Sequence, residues 1–287
     1  MLRWLRESVH PVYRLRRHRL GRAVLQVCDI PYWASVPDVA FKIRAKAISH
    51  AAGLRLRGGA EPGIFALMRT IGEVLQPACF WDVGANIGYY SWLFKSWFPS
   101  SCVVLFEPDP RNAHLIDCTL SRADLDDVTL CCCAVSDFSG VAHFVIDEVS
   151  GFTGSLAVEQ EPFALRHWQS RGRSVLVRTV SLDHVWLCQG RRVDLIKIDV
   201  EGSEEAAIRG GREMIRYDRP VIIYECFHDS SPIADFLNNL GYSIFDADRF
   251  TRDLSAATNF VALPENRLPR LAQLISLLEQ EMALAIS

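Results

Sequence analysis

The sequence lacks the long apolar segments that place proteins in or across membranes. Among its 287 residues there is no apolar run approaching the roughly 18 residues of a membrane-spanning helix. Its first residues also lack the apolar core of about 7–15 residues that a secretion signal contains. These two absences predict a cytoplasmic protein. The hydrophobic content of 49% still supports a substantial core and argues against disorder.

The nine cysteines include no C-x-x-C pair, the spacing typical of zinc and thiol-redox motifs. Three of them, Cys131, Cys132 and Cys133, are consecutive inside an apparent strand. Neighbouring residues of a strand point to opposite faces of the sheet, so this run is a poor framework for a metal or a disulfide. We therefore expect buried, reduced thiols.

The chain as a whole has no excess of positive charge, but its N-terminal segment does. The net charge of −3 gives no general attraction for nucleic acid, and we predict no such partner. Residues 1–22, however, contain seven arginines against one acid, Glu7, with apolar residues between them. A basic amphipathic helix can rest on an anionic membrane surface or an acidic partner, which would make the protein membrane-peripheral. The alternative interpretation is a solvated helix or a loose terminus.

From residue 61 onward, strand-length apolar runs alternate with helical patterns, as in α/β proteins with a parallel sheet. We predict a Rossmann-like domain over residues 61–265, preceded by a helical extension over 1–60 and followed by a C-terminal helix over 266–287. Within the extension, residues 38–52 look helical. A β insertion is predicted over 138–180, because two strand patterns there interrupt the alternation.

Seven strands are predicted for the main sheet. They are 78–83, 101–106, 128–135, 194–200, 221–224, 242–246 and 259–263. A parallel connection needs a crossover, usually a helix, but the segment before the last strand has turn-prone aspartates and no helical period. We therefore predict a mostly parallel sheet whose last strand is antiparallel.

A glycine-rich turn, Asp82-Val-Gly84-Ala-Asn86-Ile-Gly88, connects the first of these strands to a helix. Glycine has no Cβ, so such a turn lets the backbone approach a nucleotide-like ligand closely. Glu107 ends the next strand, where a carboxylate can accept hydrogen bonds from two ribose hydroxyls. Both features fall at the carboxyl ends of strands, where ligands of open α/β sheets bind.

The spacing D-x-G-x-x-x-G differs from the G-x-G-x-x-G of dinucleotide sites, in which a pyrophosphate binds the helix N-terminus. Asp82 would repel a phosphate but suits a cation such as the ammonium of an amino-acid tail. S-adenosylmethionine combines ribose, ammonium and sulfonium, and we predict it as the cofactor. An NAD(P)-dependent oxidoreductase is the main alternative. A noncatalytic binding module with the same fold is the other.

Five sequence blocks occur in a specific order. They are FWDVGANIGYYS (80–91), FEPDPRN (106–112), AVSD (134–137), TVSLD (179–183) and LIKIDVEGSE (195–204). Together they resemble FkbM-type methyltransferases, over about residues 62–263 of this chain. The resemblance implies the class I S-adenosylmethionine-dependent fold. It also implies O-methylation of a hydroxyl on a sugar, a glycan or a polyketide-like natural product.

The resemblance implies cofactor-binding roles for eight residues. Those expected at the methionine portion are Asp82, Gly84, Asn86 and Gly88. Glu107 matches the ribose-binding acid, Ser136 and Asp137 fall where the adenine is expected, and Asp199 lies beside the methyl group. For Asp137, a turn cap before Gly140 is the alternative interpretation.

An alcohol acceptor loses its proton as the C–O bond forms, and a positioned base assists this step. Asp199, Glu201, Glu225 and His228 lie at the carboxyl ends of the fourth and fifth strands. Histidine titrates nearest neutrality of all side chains, which favours His228 as the base. Lys197 is a further catalytic candidate. A structural ion pair between Lys197 and Glu201 is the alternative interpretation of these two residues.

A divalent metal would have candidate carboxylate ligands in Asp199, Glu225 and Asp229. Carboxylates without His or Cys ligands at metal-site spacing are weak evidence, so we predict no metal. The insertion and the extension are expected to shape the acceptor pocket. Four residues of the insertion would suit a carbohydrate or, equally, the edge of a core: Phe152, Arg166, His167 and Trp168.

Overall fold

A computed structural model describes residues 19–54, 61–146, 154–156 and 173–265 of the chain. Several predictions lie outside these residues. They concern residues 1–18 of the basic segment, the C-terminal helix over 266–287, and four residues of the insertion, namely Phe152, Arg166, His167 and Trp168. The α/β domain is described over most of its length, and so are all the residues predicted to bind cofactor or to act in catalysis.

The described residues alternate between strands and helices, as the sequence predicts. The strands are β1 (Pro31–Ala34), β2 (Ile43–Lys46), β3 (Cys79–Val83), β4 (Cys102–Phe106), β5 (Val128–Cys131), β6 (Ala134–Val135), β7 (Gly140–Ile146), β8 (Gly154–Leu156), β9 (Arg173–Val180), β10 (Leu195–Ile198), β11 (Val221–Glu225), β12 (Tyr242–Asp246) and β13 (Asn259–Pro264). The helices are α1 (Arg19–Cys28), α2 (Ala51–Leu54), α3 (Pro62–Leu75), α4 (Tyr89–Trp97), α5 (Pro110–Ala123), α6 (Leu182–Gln189), α7 (Glu204–Arg209), α8 (Arg212–Asp218) and α9 (Ser231–Asn239). Among them, no helix combines the length and the apolar character needed to cross a membrane.

The main sheet has seven strands in the order β12-β13-β11-β10-β3-β4-β5. Strands β11, β10, β3, β4 and β5 are parallel, whereas β13 is antiparallel to both of its neighbours. Every residue of β3, β4, β10 and β11 is buried, as expected for parallel strands covered on both faces. The predicted Rossmann-like sheet with an antiparallel last strand is confirmed.

Two hydrophobic cores cover the two faces of this sheet. Successive side chains alternate between them, so that Phe80 belongs to one core and Trp81 to the other. On the Phe80 face the alternation continues into polar residues at the carboxyl ends, among them Asp82 and Lys197. The sheet thus brings charged groups from neighbouring strands to one face and one edge.

The insertion forms a separate four-stranded sheet in the order β6-β9-β7-β8. Its β structure agrees with the prediction, but the single strand predicted over 128–135 is wrong. The main-sheet strand ends at Cys131, and the chain resumes as β6 at Ala134 in the second sheet. The Cys133 N–H donates to the Cys131 carbonyl over 2.8 Å, so the backbone turns sharply between the two sheets.

The N-terminal extension contains a hairpin where a helix over 38–52 is predicted. Strands β1 and β2 pair antiparallel, and Ile43 and Ala45 of β2 are fully buried while their neighbours are only partly buried. The hairpin is attached to α5, where the Arg44 N–H donates to the Thr119 hydroxyl over 2.9 Å. Burial of every second side chain therefore stabilises a strand here and overrides the local helical pattern. In the described part of the extension the helices are α1 and α2 instead.

Candidate active site

The glycine-rich turn has the backbone that its sequence requires. Gly84, Asn86 and Gly88 all have left-handed φ angles, of 81°, 56° and 80°. Such angles favour glycine and, among other residues, asparagine. A Cβ on Gly84 would lie 1.9 Å from the carbonyl oxygen of Asp199, so glycine is needed for the turn to contact the loop after β10.

Glu107 is joined directly to this turn. The Asn86 N–H donates to Glu107 Oε2 and the Asp109 N–H donates to Oε1, each over 2.8 Å. Burial raises the pKa of Glu107 to about 8, although these two backbone bonds oppose the rise. Each carboxylate oxygen has a second lone pair. The carboxylate is therefore fixed in place and keeps acceptor capacity.

Asp82 is almost fully buried on the neighbouring strand. Its Oδ2 accepts a hydrogen bond of 2.6 Å from the Ser91 hydroxyl, and it lies beside Lys197 in the register of β3 and β10. Burial raises the pKa of Asp82, and the positive charge of Lys197 opposes that rise. The cation that the structure sets beside Asp82 is thus a lysine, and contact with a ligand ammonium stays a prediction.

Lys197 is held between a carboxylate and an aromatic ring. Its Nζ donates to Asp199 Oδ2 over 2.8 Å and lies 4.7 Å from the centre of the Tyr90 ring. The Tyr90 hydroxyl in turn donates to Glu61 over 2.8 Å. Burial lowers the pKa of Lys197, but Asp199, Glu61 and Asp82 outweigh it and raise the pKa overall. Lys197 is therefore a fixed positive charge. Its ion pair in the structure is with Asp199, whereas the alternative interpretation of the sequence paired it with Glu201.

The loop after β10 is closed by Glu204, the first residue of α7. Its Oε1 accepts hydrogen bonds from the N–H groups of Val200 (3.2 Å) and Gly202 (2.9 Å). Burial raises its pKa to about 7 in spite of these bonds. Glu204 thereby fixes the loop that begins with Asp199. As an acid at a helix N-terminus, it also interacts favourably with the helix dipole.

Three carboxylates meet at the edge of the sheet. One oxygen each of Asp199, Glu201 and Glu225 lies within 4.8 Å of the others. In the set considered from the sequence, Asp229 stood in the place of Glu201. The structure shows Asp229 exposed, and its carboxylate accepts a hydrogen bond from the Ser231 N–H at the start of α9. Oxygen ligands of this kind suit a hard divalent cation, but three acids alone do not establish a metal site.

His228 borders the same group from the loop after β11. Its side chain is exposed, and its Nε2 lies 3.5 Å from the position that a Cβ on Gly202 would occupy. The histidine therefore flanks the loop that carries Asp199 and Glu201. It is accessible to an incoming acceptor, which is compatible with its predicted role as the base.

Ser136 and Asp137 lie at the end of β6, in the smaller sheet. Ser136 is buried, whereas Asp137 is exposed, and the Ser136 hydroxyl lies 3.3 Å from Asp137 Oδ1. The Ser136 carbonyl packs against Gly210, where a Cβ would lie only 2.1 Å from its oxygen. The two residues are thus anchored between β6 and the α7–α8 junction, and their contact with adenine stays a prediction.

Sequence reasoning missed three residues of this network. Tyr90 and Glu204 lie inside the sequence blocks at 80–91 and 195–204, so their positions in those blocks are a signal that could have found them. Glu61 lies just before α3, 29 residues from Tyr90, and no local pattern indicates their hydrogen bond.

The chain is similar to known proteins in sequence and in structure. The Methyltransferase FkbM domain matches residues 82–244, more than half of the chain. The 2-O-methyltransferase NoeI of Sinorhizobium fredii is 30% identical over 156 residues, which are 52% of this chain and 62% of that protein. The chain thus spans less than two thirds of the length of this relative.

Two solved structures are similar at low identity. A crystal structure of methyltransferase FkbM from Methylobacillus flagellatus is 20% identical, with a TM-score of 0.44, over 64% of this chain and 43% of that one. The tRNA (uracil-54, C5)-methyltransferase of Pyrococcus abyssi, in complex with S-adenosyl-L-homocysteine, is 14% identical, with a TM-score of 0.40, over 81% and 43%. From the match over residues 82–244, the chain belongs to the FkbM methyltransferase family.

Proposed function

We propose that the protein transfers the methyl group of S-adenosylmethionine to a hydroxyl oxygen of a sugar, a glycan or a polyketide-like natural product. The main support for this cofactor is the hydrogen bond from the Asn86 N–H to Glu107, which fixes a buried carboxylate beside a glycine-rich turn. Such a carboxylate can accept hydrogen bonds from two vicinal ribose hydroxyls. When bound, S-adenosylmethionine supplies a methyl group activated by a sulfonium.

The residues of the turn fit a cofactor without phosphates. Asp82 and Glu107 are buried acidic residues at adjacent strand ends, and the spacing of the turn departs from the G-x-G-x-x-G that binds the pyrophosphate of NAD. These features favour S-adenosylmethionine over the nicotinamide alternative.

The carboxylates at the ends of β10 and β11 suit acceptor alignment. Methyl transfer to oxygen is an in-line displacement, in which orienting the attacking oxygen supplies much of the acceleration. Asp199, fixed by Lys197, is the group that we expect to orient the acceptor hydroxyl. The proton of that hydroxyl passes to a base, for which His228 and Glu225 are the candidates. The name of the relative NoeI, a 2-O-methyltransferase, supports oxygen as the acceptor atom.

Two measurements test the proposal. Calorimetry with S-adenosylmethionine and NAD separates the cofactor alternatives, and we expect binding of the first alone. Incubation with S-adenosylmethionine and a panel of sugar and polyketide alcohols should then yield S-adenosylhomocysteine together with a methyl ether, identified by mass spectrometry. Cofactor binding without transfer to any acceptor would favour the noncatalytic module, and binding of NAD alone would favour the oxidoreductase.

A further inference from the structure

Helix α1 exposes a stripe of aliphatic side chains. Leu20, Val24 and Val27 are spaced four and three residues apart, so they share one face of the helix. Their exposed fractions are 83%, 53% and 77%, and Ile30, just beyond the helix, is 61% exposed. Single exposed aliphatic residues are ordinary, but a contiguous stripe indicates an interaction surface.

The end of this stripe is fixed to the folded body of the protein. Asp29 follows the helix, and its Oδ1 accepts hydrogen bonds from the N–H groups of Ile48 (2.7 Å) and Ser49 (3.0 Å). The Ala47 N–H donates to the Ile30 carbonyl over 3.0 Å. These partners follow β2 of the hairpin that contacts α5. Whatever binds the stripe is therefore held against the enzyme itself.

The sequence around the stripe is strongly basic. Residues 1–22 contain seven arginines and one acid, Glu7, and α1 contains no acid, although the whole chain has a net charge of −3. Along the sequence, positive charge is thus concentrated in the segment that adjoins the exposed aliphatic side chains. A complementary partner must offer both an apolar phase and negative charge.

We propose that α1 and the adjoining arginines bind the surface of an anionic phospholipid membrane, with Leu20, Val24 and Val27 entering the acyl boundary. A bilayer with anionic headgroups supplies both requirements at once. Nucleic acid supplies the charge but no apolar phase. A second copy of the chain would bring like charges together, and four aliphatic side chains are far fewer than the roughly 20–30 residues a side of a stable interface.

Co-sedimentation of the full-length protein with lipid vesicles tests this proposal without depending on its enzymatic activity. Vesicles of phosphatidylcholine alone are compared with vesicles of phosphatidylcholine and phosphatidylglycerol in equal parts, at low and high salt. The test variant replaces Leu20, Val24 and Val27 by glutamate. The matched control variant replaces three exposed aliphatic residues elsewhere in the same way, namely Val141, Leu176 and Leu187.

We expect the wild type and the control variant to bind the anionic vesicles but not the neutral ones, and high salt to weaken this binding. The test variant should bind at least about tenfold more weakly, with an unchanged melting temperature because its substitutions are exposed. Equal affinity of the test and control variants would overturn the proposal, as would equal binding to both kinds of vesicle. A wild-type dimer that the test variant dissociates, in the absence of vesicle binding, would assign the stripe to a second copy instead.

Discussion

Lys197 Nζ lies 2.8 Å from Asp199 Oδ2, so this ion pair joins a buried lysine of β10 to the first residue of the loop that follows the strand. The lysine side chain is 7% exposed and that of Asp199 is 23% exposed. A buried cation so close to a carboxylate favours its ionised form and restricts its rotation. Asp199 is therefore prepared to accept a hydrogen bond in a fixed direction.

Replacement of Asp199 by asparagine should lower kcat at least about 100-fold, because the isosteric amide loses the charge that Lys197 orients. Turnover is measured as S-adenosylhomocysteine released per enzyme. Asp127→Asn is a suitable control, since it removes the exposed ion pair between Asp127 and Arg191. Full activity of Asp199→Asn would exclude an electrostatic role for this carboxylate in the reaction.

Replacement of Glu107 by alanine should weaken the binding of S-adenosylmethionine by about 1.5–3 kcal/mol, because ribose hydroxyls lose charge-assisted hydrogen bonds. Calorimetry measures the change in Kd. Glu73→Ala is the control, because Glu73 pairs with Arg69 on the exposed face of α3. An unchanged Kd in Glu107→Ala would remove this residue from the cofactor site.

Cofactor affinity should also depend on pH through Glu107. Its pKa is raised from 4.5 to about 8, so the folded protein without cofactor holds this proton across the neutral range. Ribose hydroxyls donate hydrogen bonds to the ionised form of Glu107. Below pH 8 cofactor binding must also remove the proton from this residue, so the free energy of binding becomes less favourable as pH falls. We expect affinity to rise from pH 6 to about 8 and then to level off. Glu107→Gln should lack this dependence; an identical profile in that variant would assign it to another group.

Replacement of His228 by alanine should lower the rate about 10²–10⁴-fold if His228 is the general base. Turnover is measured as S-adenosylhomocysteine released per enzyme. His114→Ala provides a control on α5, outside the site. If His228→Ala keeps the wild-type rate, the base is a carboxylate such as Glu225 or alignment alone suffices.

Addition of a chelator should leave the methyl transfer rate unchanged, since Lys197 already neutralises one member of the trio Asp199, Glu201 and Glu225. The rate is measured with EDTA and again after addition of excess Mg²⁺. Loss of activity that Mg²⁺ restores would show that the three carboxylates hold a catalytic metal.

The main sheet is predictable from sequence because its central strands are buried on both faces and appear as short apolar runs. The same signal fails at Cys131–Ala134, where the run stays apolar although the chain turns into another sheet. It also fails in the β1–β2 hairpin. Its four-residue strands are too short for the alternation of buried and exposed side chains to outweigh a helical pattern.

The site was predictable where it follows the strand period. Lys197 is in β10 and Asp199 directly follows this strand, where its N–H still donates to the Val83 carbonyl of β3, so the two side chains share a face. The contact between Glu61 and Tyr90 depends on how α3 packs beside α4, and tertiary packing of this kind has no local sequence signal.

The position of β13 has a consequence for synthesis on the ribosome. This strand, residues 259–264, lies between β11 and β12, although both of them are translated before it. Until it emerges, β11 presents an unpaired row of N–H and C=O groups, and β12 has no neighbour in the main sheet. A nascent chain stalled before residue 259 would therefore carry a five-stranded parallel sheet with an open, apolar edge, which is a preferred target for chaperones and a route to aggregation.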